Sequence, residues 1–340
     1  MKLLPIGIAL FLLCIEARGQ NKDVTLLFQN EKPIAIRLNF SIKEVKKITN
    51  DTIYTASKLS YQTEDGSWDT LNIGLRARGN FRRANCFFPP LRIKLKKGGG
   101  EKGLFAGNKS LKLVVPCQTG ARYNDLILKE YLCYQLYEVL TPYIFNTRLV
   151  DLTLTDLSAK SPKIHTLKAF LIEDDDLVAK RFKGKVADEL KVHPLAIHDT
   201  TSVTQAFFQY MIANTDWSSY AQHNVKVLVL EKSKFIPLDY DFDMAGLVDA
   251  PYATVSEMLE ITSVRDRMYR GFCRDESIVR YVQAEFIRLE PKIMEVVNSF
   301  EKDINPKELA VIKKYLEDFY GILKNDKAFK QNILMKCRTK

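Results

Sequence analysis

Residues Asn214–Gly246 read NTDWSSYAQHNVKVLVLEKSKFIPLDYDFDMAG. Before them, Ser202–Ala213 carries Phe207, Phe208, Met211 and Ile212 on helical spacing and opens on an Asp-Thr-Thr-Ser capping cluster. A polar loop holding Asp216, His223 and Asn224 follows this predicted helix. Two apolar strands come next, Asn224–Leu230 and Phe235–Asp241, joined by a turn at Glu231–Ser233. The second strand runs out into Asp239, Asp241 and Asp243. Side chains two apart on a strand share a side, so these carboxylates are expected on one face, with Tyr240 and Phe242 on the other. Crowded carboxylates must protonate, splay into solvent or take up a cation. Hard oxygen ligands suit Mg²⁺, Mn²⁺ or Ca²⁺. The apolar lead-in Phe235-Ile-Pro-Leu238 argues for a cluster opening from a buried strand; a plain turn-and-cap cluster is the competing reading.

The flanking sequence divides into a β-rich half and a mostly helical half. On the N-terminal side, Val24–Phe28, Ile34–Phe40, Leu71–Arg78, Leu91–Leu95 and Leu111–Val115 read as strands, several with period-two alternation. Lys97–Gly103, with its Gly98–Gly100 run, reads as a turn and lacks phosphate-loop spacing. The first helix is Asp125–Leu140, closed by Pro142. Strands are expected near Thr147–Leu154 and His165–Ile172, and the chain from Ser256 onward is read as helical, with amphipathic segments Glu276–Phe300 and Pro306–Leu323.

With 340 residues, 46% hydrophobic and 27% charged, the chain has enough apolar surface for a core, which excludes global disorder. Its only long apolar run is N-terminal, which excludes a multi-pass membrane protein. That run, Leu3–Ile15, follows Lys2 and precedes Ala17-Arg18-Gly19, the pattern of a secretory signal over residues 1–19. A secreted or periplasmic address is therefore expected, with no transmembrane span. The formal charge of +10 permits an anionic ligand, although excess Lys on solvated helices explains it as well. Five cysteines lie past the signal, an odd number without a Cys-x-x-Cys pair, which implies neither a disulfide framework nor a zinc ribbon. Cys133 falls on an apolar helical face and is expected in the core.

Phosphoryl transfer requires a metal-free carboxylate to orient the attacking hydroxyl, a second carboxylate to hold Mg²⁺ against nucleotide phosphates, and a supporting amide. Asp216, Asp241 and Asn224 are placed for those roles, although Asp216 and Asn224 are eight apart where the usual kinase spacing is five. Four pieces in order, Arg76-Ala-Arg-Gly-Asn80, Leu91-Arg-Ile-Lys94, Asn214-Thr-Asp216-Trp217 and Pro237-Leu-Asp-Tyr-Asp-Phe-Asp243, resemble the CotH-type atypical kinases, named for spore coat protein H. The chain is also similar to secreted proteins of the Bacteroidetes type that carry Asp-Phe-Asp segments. The resemblance spans Leu71–Gly246 and implies a secreted, α+β, bilobal kinase-like fold. It implies a β-rich N-terminal lobe over 20–123, a mainly helical C-terminal lobe over 124–340, and transfer of the ATP γ-phosphate to protein hydroxyls with Mg²⁺ or Mn²⁺. Asp216 is then the catalytic residue, and Asn224, Asp239, Asp241 and Asp243 are the candidate metal ligands.

The phosphates of such an enzyme are held by a strand Lys that a helical Glu positions; Lys112 and Glu130 fit in order, and Lys94 is the rival Lys. Arg78, within the patch Arg76, Arg78, Arg82 and Arg83 around Gly79-Asn80, is a further phosphate candidate, against a solvated hairpin. A non-catalytic pseudokinase or envelope binding protein with a structural cation is the alternative, and a metal-dependent phosphoesterase a third reading that lacks its usual histidines. Glu173–Asp176 reads as a solvated turn, and Arg265, Arg267 and Arg270 as counter-ions to the acidic cluster. His193 and His198 are weak metal candidates because Pro194 separates them. Aromatics are not interleaved with the basic patch, so nucleic acid is not an expected partner.

Overall fold

The structure, a computed structural model, describes residues 24–96, 103–187 and 191–339. The expected signal segment and, except for Gly103, the expected Lys97–Gly103 turn lie outside the described residues. In chain order the elements are β1 (Ile34–Phe40), α1 (Ile42–Lys47), β2 (Thr55–Gln62), β3 (Trp68–Ala77), α2 (Asn80–Asn85), β4 (Leu91–Leu95), β5 (Ser110–Val114) and α3 (Ala121–Leu140). Then come β6 (Thr147–Asp156), β7 (Lys163–Ile172), α4 (Asp175–Arg181), β8 (Lys185–Val186), α5 (Asp199–Met211), β9 (Val225–Leu230) and β10 (Lys234–Asp239). Three helices finish the chain: α6 (Glu276–Ser299), α7 (Pro306–Lys324) and α8 (Asp326–Asn332).

Seven strands close into a barrel in the order β1-β2-β3-β4-β5-β7-β6. All neighbours are antiparallel except β1 and β6, which pair in parallel from Ile34 opposite Val150 to Phe40 opposite Asp156. This corrects the expectation of a bilobal kinase-like fold with separate lobes. The protein is a barrel-containing α+β fold, because β6 and β7, which follow the first long helix, return to pair with β1 and β5. The alternation seen in sequence fills the barrel: Ile36, Leu38, Leu59, Ile73, Leu75, Ile93, Leu113, Leu152 and Leu171 are all buried in its interior. Alternation reveals which face of a strand is buried but not which strand lies beside it.

A second core lies outside the barrel. α3 packs on β7 and β6 with one side and on α6 and α5 with another, so it is buried nearly all round, from Leu126 to Tyr137. Phe170 and Ile172 of β7 belong to this second core, along with Phe207 and Phe208 of α5, Phe286 of α6 and Phe319 of α7. The three-stranded sheet β10-β9-β8 covers its edge. The expected all-helical tail starts later than the sequence suggested: Ser256–Asp275 is irregular, and helix begins at Glu276 behind an Asp275 side-chain cap. Among the described residues no helix is long and apolar enough to cross a membrane.

Two disulfides brace the fold, where the sequence implied no framework. Cys86–Cys117 ties the segment after α2 to the segment after β5, and Cys273–Cys337 ties the C-terminal tail to the start of α6. Their partners are 31 and 64 residues apart, separations that spacing rules do not recognise. Cys133 is a buried free thiol, as its helical face suggested.

Candidate functional site

The site forms where three loops meet beside the barrel. The first is the end of α5. Ala213 turns in the left-handed region (φ 50°), and Asn214 accepts the Asp216 N–H at 3.0 Å. Ser218 and His223 exchange backbone hydrogen bonds of 2.9 and 3.0 Å, closing a small loop. Gln222 inside it and Asn224 just after it adopt left-handed φ values of 49° and 53°, a conformation that Asn tolerates better than most residues. The result fixes Asp216. Asn224 Nδ2 donates to its Oδ2 at 2.9 Å and to its backbone oxygen at 2.8 Å, while His223 Nε2 lies 2.8 Å from Oδ1. The carboxylate remains 40% exposed, so a ligand can reach it.

The second loop follows β10, and here the one-face expectation fails. The strand ends at Asp239, and Asp241 sits in the left-handed region with φ 64°, its N–H donating to the Tyr134 hydroxyl at 2.9 Å. The alternation stops there. Asp239 points into the core against α5, where Gln205 Nε2 donates to it, and it is not brought together with Asp241 and Asp243. Downstream, Gly246 N–H and Leu247 N–H donate to Ala213 and Ile212, each at 3.0 Å. A Cβ at Gly246 would lie 2.3 Å from the Val264 carbonyl oxygen, so only glycine fits this approach. These bonds dock the Asp241–Asp243 turn on the end of α5, next to Asp216. The charges of Asp241 and Asp216 both act on Asp243.

The third loop is Arg78–Asn85. Gly79 has φ 71° and leads β3 into α2. Arg78 then lies 4.0 Å from Asp241, and Arg82 enters the interior with 3.6 Å to Asp243, 3.9 Å to Glu130 and a hydrogen bond to the Val115 carbonyl. Burial opposes the Arg82 charge, yet Tyr252 and the carboxylates of Asp243 and Glu130 outweigh it and raise its pKa. Burial, reinforced by Asp241, pushes Asp243 up to about 6, although Arg82 and the Tyr252 hydroxyl at 3.1 Å pull the other way. Burial also raises Glu130 well above the carboxylate range, and Asp243 adds to it.

Lys112 does not meet Glu130, which corrects that pairing. It is buried on β5 with Nζ 3.2 Å from Asp175, between the rings of Phe145 and Tyr240 at 4.9 and 4.6 Å. The cause is register: Lys112 faces outward beside Arg92 and opposite Ile172, whereas Glu130 lies against Arg82. Burial lowers the Lys112 pKa, and Asp175 partly restores it. The Arg78 charge acts on both Lys112 and Glu130. Lys94 sits on the same barrel face but is exposed, 5.5 Å from the Tyr54 ring. Beside Lys112 opens a cleft of about 530 Å³ lined by Arg92, Asp174, Asp175, Asp176, Lys180 and Lys185.

No protein-family model and no curated protein matches the chain.

Some of these partners were misread in the sequence. Glu173–Asp176 is not a solvated turn: Glu173 is buried against Arg181 at 2.7 Å, Asp174 pairs with Arg92 at 2.9 Å, and Asp175 holds Lys112. Arg265 pairs with Asp249 and Arg267 donates to backbone oxygens of Met211 and Tyr315, so neither counters the acidic turn; Arg78 and Arg82 do. His193 accepts the Leu195 N–H through Nδ1 and so caps that turn. Tyr134, which accepts from the Asp241 N–H, and Tyr252, which donates to the Asp243 carboxylate, had no signal in sequence, since a buried Tyr with a polar partner looks like any core aromatic.

Asp239 makes its own prediction. Burial pushes it up to about 7, against the pull of hydrogen bonds from Gln205, Tyr137 and Gln209. Its unfolded value is near 3.8, so the folded state holds the proton more tightly. Its contribution to stability is fullest at acid pH and falls as pH rises through about 7. An Asn there keeps an oxygen to accept from Gln205 Nε2 and carries no ionisable proton. Asp239→Asn is expected to raise the melting temperature by several degrees at about pH 8 and by little at about pH 5. Thermal denaturation at both pH values checks it, and an equal shift at the two would remove the proton from the account.

Proposed function

We propose that the protein is an exported, metal-dependent phosphotransferase that uses ATP and acts on protein hydroxyls. The observation that carries this reading is the convergence of Asp216, held by Asn224 and His223, with Asp241 and Asp243 next to two arginines. A half-exposed carboxylate with both oxygens oriented can accept a hydroxyl proton. Arg92 in the cleft wall, Lys112 paired with Asp175 of that wall, and Arg78 beside Asp241 supply the positive charge against which phosphates would lie. The two disulfides are compatible with an oxidising compartment, which supports export.

The residues present fit a divalent ion held jointly with a nucleotide. Among the described residues no three of His, Cys, Asp and Glu converge as a full cage. Mg²⁺, however, is commonly bound by one or two carboxylates plus substrate phosphates. Asp241 and Asp243, whose charges repel, and the Asn224 side-chain oxygen would hold it, and it would neutralise developing charge on the transferred phosphate. Arg82 offsets part of the burial that favours protonated Asp243 and holds it in place, and Tyr134 fixes the backbone of Asp241.

Mg²⁺ or Mn²⁺ with ATP is expected to raise the melting temperature, by about 2.7 kcal/mol of stabilisation at a hundredfold excess over Kd. Asp241→Ala should abolish the shift. A wild-type melting curve that neither ion moves at saturating ATP would overturn the metal and nucleotide assignments together. The internal pairing of Asp243 with Arg82 and of Lys112 with Asp175 favours a second reading, a non-catalytic nucleotide- or cation-binding protein. Stabilisation by metal and ATP without transfer of labelled γ-phosphate to any acceptor would select it.

A further inference from the structure

The C-terminal tail returns to the Asp216 loop. Arg338 N–H donates to the Gly271 carbonyl at 2.8 Å, and its own carbonyl accepts from Cys273 N–H at 3.0 Å. The Cys273–Cys337 disulfide locks this pairing. The Arg338 guanidinium lies 4.7 Å from the Phe272 ring and has no carboxylate partner among the described residues. Burial and then the Arg338 charge lower the Arg270 pKa, and Asp216 raises it. Arg270 donates to the Thr215 carbonyl and lies 5.9 Å from the Trp217 ring.

Arg338 lines a groove with Trp217, Ser218, Tyr220, Gly271 and Phe272. Its interior volume is about 40 Å³, room for a few waters or one carboxylate and too little for a nucleotide. Tyr220 is 51% exposed at its rim. The charge here is opposite to that of the Asp241–Asp243 turn: a cation without a carboxylate partner stands at the mouth, and aromatic rings flank it. Such a mouth matches a carboxylate by charge and the carbon stem below it by apolar contact.

We propose that this groove receives an acidic side chain of the polypeptide acceptor and so presents a neighbouring hydroxyl to Asp216. The proposal rests on the reading of Asp216 as the base. Arg338 acts as a specificity residue, and the disulfide sets its position.

The test uses the mature full-length chain, a serine peptide flanked by glutamates and the same peptide flanked by lysines. Binding is measured calorimetrically without ATP, and phosphate transfer is measured separately, for wild type, Arg338→Glu and Arg338→Lys. The glutamate peptide should bind wild type more tightly. Arg338→Glu should weaken it by about two- to fivefold, the scale of one exposed ion pair, and Arg338→Lys should recover most of the loss. ATP affinity should be the same in all three. Equal or tighter binding of the lysine peptide to wild type, no binding of either peptide, or indifference to Arg338→Glu would overturn the proposal. Charge-dependent binding of the glutamate peptide without any transfer would uphold the groove assignment and remove Asp216 from catalysis instead.

Discussion

Asp216→Asn is expected to lower phosphate transfer by about a hundred- to ten-thousandfold, the usual contribution of a positioned general base, while melting temperature and ATP affinity stay close to wild type. The substitution is isosteric. An Asn side-chain oxygen can still accept from Asn224 Nδ2, which now donates at 2.9 Å, so the loop should keep its shape. What is lost is the capacity to take a proton. Asp216 lies two residues past the α5 loop residue Asn214 and remains 40% exposed, so replacing it leaves no buried hole. Initial rates with labelled ATP check the first part and thermal melting the second. Undiminished autophosphorylation in the variant would exclude Asp216 as the base. A matching loss of stability would mean that its hydrogen bonds matter to the loop more than its proton affinity does.

Arg82→Met is expected to destabilise the fold by about 3–5 kcal/mol, the cost of leaving buried charge without its partner. Two carboxylates depend on this guanidinium, Asp243 at 3.6 Å and Glu130 Oε2 at 3.9 Å, and Glu130 Oε1 accepts no hydrogen bond among the described residues. Without Arg82 both would tend to take up protons. Their folded pKa values already lie above the unfolded ones and would rise further. A carboxyl with a raised folded value stabilises most at low pH and loses that contribution as pH rises. The defect of Arg82→Met should therefore be smallest near pH 5 and largest near pH 8, and adding Glu130→Gln should restore part of the loss. Denaturant midpoints across pH measure it. A variant as stable as wild type at alkaline pH would show that these carboxylates find solvent or another cation.

The readable parts of this chain were those encoded locally. The periodicity of Glu276–Phe300 and Pro306–Leu323 located α6 and α7 within a residue or so at each end. The apolar hairpin before Asp239 was legible because strand, turn and strand are contiguous. The barrel was not legible, because its closing pairs, β1 with β6 and β5 with β7, join residues on opposite sides of α3. The candidate site divides in the same way. Asp216 and Asn224 belong to one loop and do meet. The Asp239–Asp243 row was misjudged because the left-handed backbone at Asp241 ends the alternation, and nothing in the residue types marks that turn. The ion pairs Lys112–Asp175 and Arg82–Glu130 depend on strand register and on the path of α2, so pairing by order along the chain linked Lys112 to the wrong acid.

The parallel contact between β1 and β6 also constrains how the chain is made. Residues Ile34–Phe40 leave the ribosome early, but their partners, Val150–Asp156, emerge more than a hundred residues later. Throughout that interval β1 can pair only with β2, and its other edge, rich in Ile and Leu, stays open. The barrel cannot close until Asp156 has been synthesised, and β5 cannot find β7 until Ile172 has followed. Contacts of this sequence separation form slowly, and unpaired strand edges invite association with other chains. The nascent half-barrel is thus the most vulnerable state of this protein. If the chain is exported before it folds, that vulnerability is carried across the membrane rather than met in the compartment of synthesis.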